Sequence, residues 1–161
     1  MNMKKNKDID LEIGSQITSD YLKQFYPEPK TNMTWIYNLK FNFQGIDVKA
    51  ELKMEIFSIE NKNVNIKVSI GNNSFEESVP IDDFSPIPST EGIKNSSTSF
   101  VYEGKEEVDV PFGKYNDSVK ISSLSKEGKY YLWLAKNIGP IKFGITTSGV
   151  PAYLELESFS S

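Results

Sequence analysis

At 161 residues and 18.2 kDa the chain fits one domain, long enough to bury about 70% of its unfolded surface without disulfide or metal staples. It has no Cys, no His and no Arg; all 18 basic residues are Lys, and the net charge is −4. Those absences exclude thiol nucleophiles, thiolate zinc and iron–sulfur sites, the ordinary Ser-His-Asp triad and Arg clamps on phosphate or carboxylate.

The first expected segment, residues 1–18, is a polar tail. Met1–Asp8 is rich in Lys and Asn and lacks the apolar stretch of a secretory signal. Taken alone, that leaves a cytoplasmic protein or one from which a leader is gone. The weak alternation of Ile9, Leu11 and Ile13 either adds an edge strand or stays mobile. The domain proper is expected over residues 19–161. Ser19–Phe25 reads as a short helix capped by Ser19 and ended by Pro27 and Pro29.

From Thr34 the period changes to two. Trp35, Tyr37, Leu39, Phe41 and Phe43 fall on one face, and Gln44-Gly45 turns the chain. Ile46, Val48, Ala50, Leu52, Met54 and Ile56 then alternate with Asp47, Lys49, Glu51, Lys53 and Glu55. A helix would smear these apolar residues around its circumference; a strand puts all six on one side. The adjacent Ile56 and Phe57 predict a bulge. After a turn at Glu60–Lys62, Val64, Ile66, Val68 and Ile70 alternate again, and Gly71–Ser74 leads into a short strand at Phe75–Val79.

Pro80–Ser99 holds three prolines, one glycine and five serines, and reads as a long loop: a mobile crossover between two halves of a sheet, or a lid. Alternation resumes at Phe100–Tyr102 and Glu107–Pro111, on either side of Gly104. Turns follow at Phe112–Asn116, Lys126–Gly128, Asn137–Pro140 and Ser148–Pro151. Between them run Val119 and Ile121, the strand Lys129–Lys136, Ile141–Ile145, and finally Ala152–Phe159. Tyr130 to Leu134 are apolar at every position, as in a strand covered on both sides. The sum is an all-β fold, one antiparallel domain built as a strongly curved sheet or open barrel of about 8–10 strands.

The acidic pairs Glu76-Glu77 and Asp82-Asp83 and the run Glu103/Glu106/Glu107/Asp109 lack the spacing of a calcium loop and read as solvated faces or turns. No cofactor and no metal is expected. Ser122, Ser123, Ser125 and Lys126 sit near a turn with no Gly-x-Ser-x-Gly around them, and no phosphate-cradling glycine loop is present. Glycosylation-type triplets at Asn32, Asn72, Asn95 and Asn116 are what chance gives a chain rich in Asn and Ser. Lys residues interspersed with Asp and Glu argue against nucleic acid, and no apolar run is long enough for a membrane helix. The aromatics are the best binding candidates. Trp35 and Tyr37 share one strand face, and Tyr131 and Trp133 share another. Meeting on an exposed concave sheet, they would grip an acyl chain or stack on a sugar; otherwise they are core.

Three segments, taken in order, carry a resemblance: Phe25-Tyr-Pro-Glu-Pro-Lys-Thr-Asn-Met-Thr-Trp-Ile-Tyr37, Val108-Asp-Val-Pro-Phe-Gly-Lys-Tyr115 with Val119-Lys-Ile121, and Tyr131-Leu-Trp-Leu-Ala-Lys-Asn-Ile-Gly-Pro-Ile-Lys142. Together they resemble bacterial lipoprotein and secreted domains related to the DUF3108-like group, over roughly residues 25–159. The sequence departs from that pattern at Glu28-Pro29, Asn32 and Phe112, and it holds no lipid-anchor Cys. The resemblance implies an extracytoplasmic, non-enzymatic all-β domain with no catalytic residues to carry over. The expected function is therefore a cell-envelope or secreted domain binding an apolar small molecule or a partner protein on a curved sheet. The alternatives are a carboxylate-based hydrolase acting on a glycan, which needs two convergent Asp/Glu side chains, and a structural module that pairs through an edge strand.

Overall fold

A computed structural model describes residues 11–89, 92–94, 100–125, 128–147 and 150–161. Ile9, the Met1–Asp8 segment, Asn95 and parts of the turns at Lys126–Gly128 and Ser148–Pro151 lie outside them. A helix α1 (Ser19–Lys23) precedes the strands β1 (Thr34–Phe43), β2 (Ile46–Glu60), β3 (Asn63–Ile70) and β4 (Asn73–Pro80). A 3-10 turn (Ile81–Asp83) and a ribbon of β5 (Ile87–Ser89) and β6 (Gly92–Lys94) come next. The chain then forms β7 (Val101–Val110), β8 (Gly113–Ser125), β9 (Gly128–Ala135), β10 (Gly139–Thr147) and β11 (Val150–Ser160).

Nine strands make one curved, unclosed antiparallel sheet in the order β4-β3-β2-β1-β11-β10-β9-β8-β7. The topology is two meanders. The first runs outward from β1 to the β4 edge. The chain then crosses to the opposite edge, and the second meander returns from β7 to pair β11 with β1.

Local chemistry explains the hairpins. Gln44 and Gly45 both take positive φ, 52° and 81°, which is the twist-matched two-residue turn between β1 and β2. Asn61 and Lys62 do the same between β2 and β3. The bulge expected at Ile56-Phe57 is present: Ile56 faces Ile66, Ser58 faces Asn65, and Phe57 has no opposite residue. Three sequence expectations need correction. The helix cap is Thr18, not Ser19; its hydroxyl accepts from Tyr21 N–H at 3.1 Å. Gly104 does not separate two strands but lies inside β7 at a register irregularity, with φ of 112°. The crossover is not a bare loop, because Phe84 through Pro88 are buried and β5 and β6 pair.

That crossover and α1 together roof the concave face. Tyr26 donates its hydroxyl to Pro86 C=O at 2.7 Å, and its ring meets Phe84 edge-on. Lys23 Nζ donates to Asp82 C=O, tying helix to crossover. Beneath the roof lie Trp35, Tyr37, Leu52, Met54, Ile56 and Leu156, all fully buried. Past its irregular stretch the β7–β8 hairpin reaches β11, where Phe112 N–H donates to Leu156 C=O at 3.0 Å. Residues 14–17 line the β7 edge, with Tyr102 accepting from Gly14 and donating to Ser15, both at 2.8 Å.

Candidate functional site

The structure separates the four aromatic candidates. Registers carried across the sheet place Trp35 and Tyr37 on the concave face, in line with Leu154, Phe143 and Leu132. Tyr131 and Trp133 fall one residue out of phase and project from the convex face, alongside Lys142 and Gly144. The two pairs therefore never meet. Trp35 and Tyr37 are core: Trp35 Nε1 donates to Ile138 C=O at 2.8 Å and Tyr37 Oη to Pro140 C=O at 2.7 Å. These bonds satisfy the polar tips that burial would otherwise strand. Burial holds the Tyr37 and Tyr26 phenols well above their usual range, so both stay protonated donors.

On the convex face Trp133 is the centre of a ladder of rings and charges. Its ring lies 6.0 Å from that of Tyr131. Lys120 sits over both rings, 4.7 Å from the Tyr131 centroid and 5.3 Å from that of Trp133. Lys142 lies 5.3 Å from Trp133 and 4.9 Å from Tyr153, and pairs with Glu155 at 3.7 Å. Glu106 accepts from Trp133 Nε1 at 3.1 Å and from Lys120 at 3.0 Å. Partial burial pushes its carboxyl up, but the hydrogen bonds from Lys120 and Trp133 outweigh this and leave it below the usual carboxylate range. Glu103 is also lowered, first by the Ser122 hydroxyl and then by Lys129. Gly144 makes room for the arrangement, since a Cβ there would stand 3.2 Å from Tyr153 and 3.4 Å from Trp133. With both neighbours lysine-covered, Trp133 is only 7% exposed and offers no open stacking face. Among the described residues, the both-faces-apolar pattern of β9 thus has a cover made of side chains.

Two features were not legible in the sequence as sites. The first is the end of the concave face that the roof does not reach. Along one side of the β1–β2 hairpin, Tyr37 and Leu52 are fully buried, Leu39, Phe41, Val48 and Ala50 are half-exposed, and Ile46 is 67% exposed. Ala152 of β11, opposite Phe41, continues the strip. The second is a cleft of about 500 Å³ between α1 and the β7–β8 hairpin. Its lining includes one carboxylate, Asp117. Glu103 and Glu106 lie on the convex face, each bound to its own partners, so neither place assembles the two convergent carboxylates of a glycan hydrolase. Among the described residues no group of three or more Asp, Glu, His or Cys side chains could hold a metal ion. No described helix is long and apolar enough to cross a membrane.

No family model and no curated protein matches the chain, so the resemblance of the three segments to the DUF3108-like group has no family match behind it. Two solved structures share the fold. One is a Bacteroides fragilis protein inferred to be exported, with a YmcC-like fold; it is 12% identical at a TM-score of 0.52, over 85% of this chain and 99% of its own. The other is a Parabacteroides distasonis protein inferred to be a lipoprotein, 12% identical at a TM-score of 0.52, over 84% of this chain and 98% of its own. At that identity the likeness is one of fold alone.

Proposed function

We propose that this chain is a non-catalytic binding domain that works outside the cytoplasm and holds an apolar ligand on the uncovered end of its concave sheet. The observation that carries the reading is the fall in burial along one face. The apolar pattern of β1, β2 and β11 continues past the last roofed row, leaving Leu39, Phe41, Val48 and Ile46 as a strip joined to the core. A contiguous apolar strip of this kind, on a concave surface, is where an apolar ligand gains most by leaving water. Location outside the cytoplasm is supported by the two structural neighbours and by the motif resemblance.

Binding is tested with the uncharged fluorophore N-phenylnaphthylamine, whose emission rises in apolar surroundings. Val48→Glu should abolish the enhancement seen with the unaltered chain while leaving the far-ultraviolet circular dichroism intact. Equal enhancement by the variant, or none by the unaltered chain, would overturn the reading. Fractionation of host cells tests the location, and recovery in the cytosolic fraction would contradict it.

A further inference from the structure

Besides β4 and β7, the sheet has an open edge within the first meander. β3 pairs with β2 from Leu52, opposite Ile70, to Glu60. Residues 46–51 of β2 therefore have β1 on one side and, among the described residues, no strand on the other. The turn decides which backbone groups face outward. A two-residue turn closes on the hydrogen-bonded pair Phe43 and Ile46, so Ile46, Val48 and Ala50 bond to β1. Asp47, Lys49 and Glu51 then direct their N–H and C=O groups away from β1. All three are exposed, and their side chains lie on the convex side, opposite the apolar strip. Lys49 stands directly across the hairpin from Lys40, a like charge. Lys40 is paired with Glu155 at 3.5 Å, whereas Lys49 forms no ion pair among the described residues. Asn42 donates to one oxygen of Asp47 at 2.8 Å and leaves the other open.

We propose that a second copy of this chain pairs along residues 46–50, antiparallel, about a two-fold axis through Val48. Charge and space select that register. With Val48 opposite its copy, Asp47 faces the partner's Lys49, Lys49 faces the partner's Asp47, and Ile46 faces the partner's Ala50. Centring on Lys49 would oppose that lysine to itself and Asp47 to Glu51, and centring on Asp47 would oppose that carboxylate to itself. Centring on Ala50 would drive the partner into β3, which holds the edge from Leu52. In the selected register the opposed residues Asp47 and Lys49 are also the ones whose backbone groups point outward, so charge pairs and ladder hydrogen bonds form together. The contact is isologous and runs one sheet through both copies, with their concave faces on the same side. It does not require the proposed function to hold, because Asp47 and Lys49 project from the face opposite the strip.

The test is sedimentation velocity of the whole chain over a range of concentrations, where a concentration-dependent dimer is expected. Asp47→Lys and Lys49→Asp should each weaken it about tenfold or more, because each sets like charges opposite one another. An equimolar mixture of the two variants should regain the dimer, since every cross pair is then opposite in sign, and that recovery also shows that both variants fold. The chain has no cysteine, so a single introduced thiol reports the register. Under mild oxidation Val48→Cys should crosslink to its copy across the axis, and Ile46→Cys, about 14 Å from its copy in this register, should not. A monomer up to the solubility limit would overturn the proposal. So would a dimer indifferent to both charge variants, a mixture that does not recover, or Ile46→Cys crosslinking as fast as Val48→Cys.

Discussion

The two meanders solve the same problem in different ways. In β1–β4 the alternation is broken inside one strand, at the Phe57 bulge of β2, the outward positions are mostly polar, and one apolar face does most of the burying. In β7–β11 the alternation is broken by bulges, rings stand on both faces, and the convex side is covered by lysine stems and carboxylates. The edges differ too. Residues 14–17 hydrogen-bond along the start of β7, whereas β4 is exposed at nearly every position and carries Glu76 and Glu77. Charge on an open edge discourages pairing with another chain, which weakens the case for a module assembling through β4. The regular meander is the one that ends uncovered; the irregular one curls until its hairpin touches β11. Regular alternation lengthens a flat apolar face, and bulges supply the bend that closes one.

The comparison is sharpest on β2, where Leu52 and Val48 share a face four residues apart. Leu52→Ala should cost about 2–5 kcal/mol in urea unfolding, because it opens a cavity beneath the roof. Val48→Ala should cost about 1 kcal/mol or less, because its side chain is half-exposed at the strip. Similar losses at the two positions would mean the strip is as closed as the core. An effect smaller than that of Leu52→Ala is expected at the start of β10. Gly139 has a φ of 98°, and a Cβ there would stand 3.0 Å from the Tyr26 ring. Gly139→Ala should cost about 1–3 kcal/mol from backbone strain plus that contact, read as a lower urea midpoint. The smallest effect concerns the convex ladder. Glu103 and Glu106 are both held below the ordinary carboxylate range in the folded chain. Their contribution to stability is therefore fully present above the ordinary value of about 4.3 and lost as pH falls through the lower folded values. Glu103→Gln/Glu106→Gln should flatten the decline of the urea midpoint on the acid side, and an unchanged decline would assign the acid sensitivity elsewhere.

How far the sequence could be read depended on whether a feature is local. The β1–β2 turn, the Phe57 bulge and the antiparallel class were legible because each is set by neighbours in the chain: positive-φ turn residues, two adjacent large apolar residues, and a period of two. The pairing of Trp35 and Tyr37 with Tyr131 and Trp133 was not. Each pair was placed on a strand face, but whether the faces coincide depends on register summed over β1, β11, β10 and β9, and one residue of phase moves a side chain through the sheet. The cleft was invisible for a related reason: Phe25, Tyr102 and Val119 are far apart in sequence and share no pattern.

The amino-acid order by itself decided the antiparallel class of the main sheet and, over β1–β3, its apolar and polar sides, because side-chain direction along a strand obeys a fixed local period. Only the tertiary structure decided which part of that apolar side is sealed. The seal is made by α1 and the crossover, which reach some rows of the sheet and stop short of others, and the length of that reach is a property of the whole chain path.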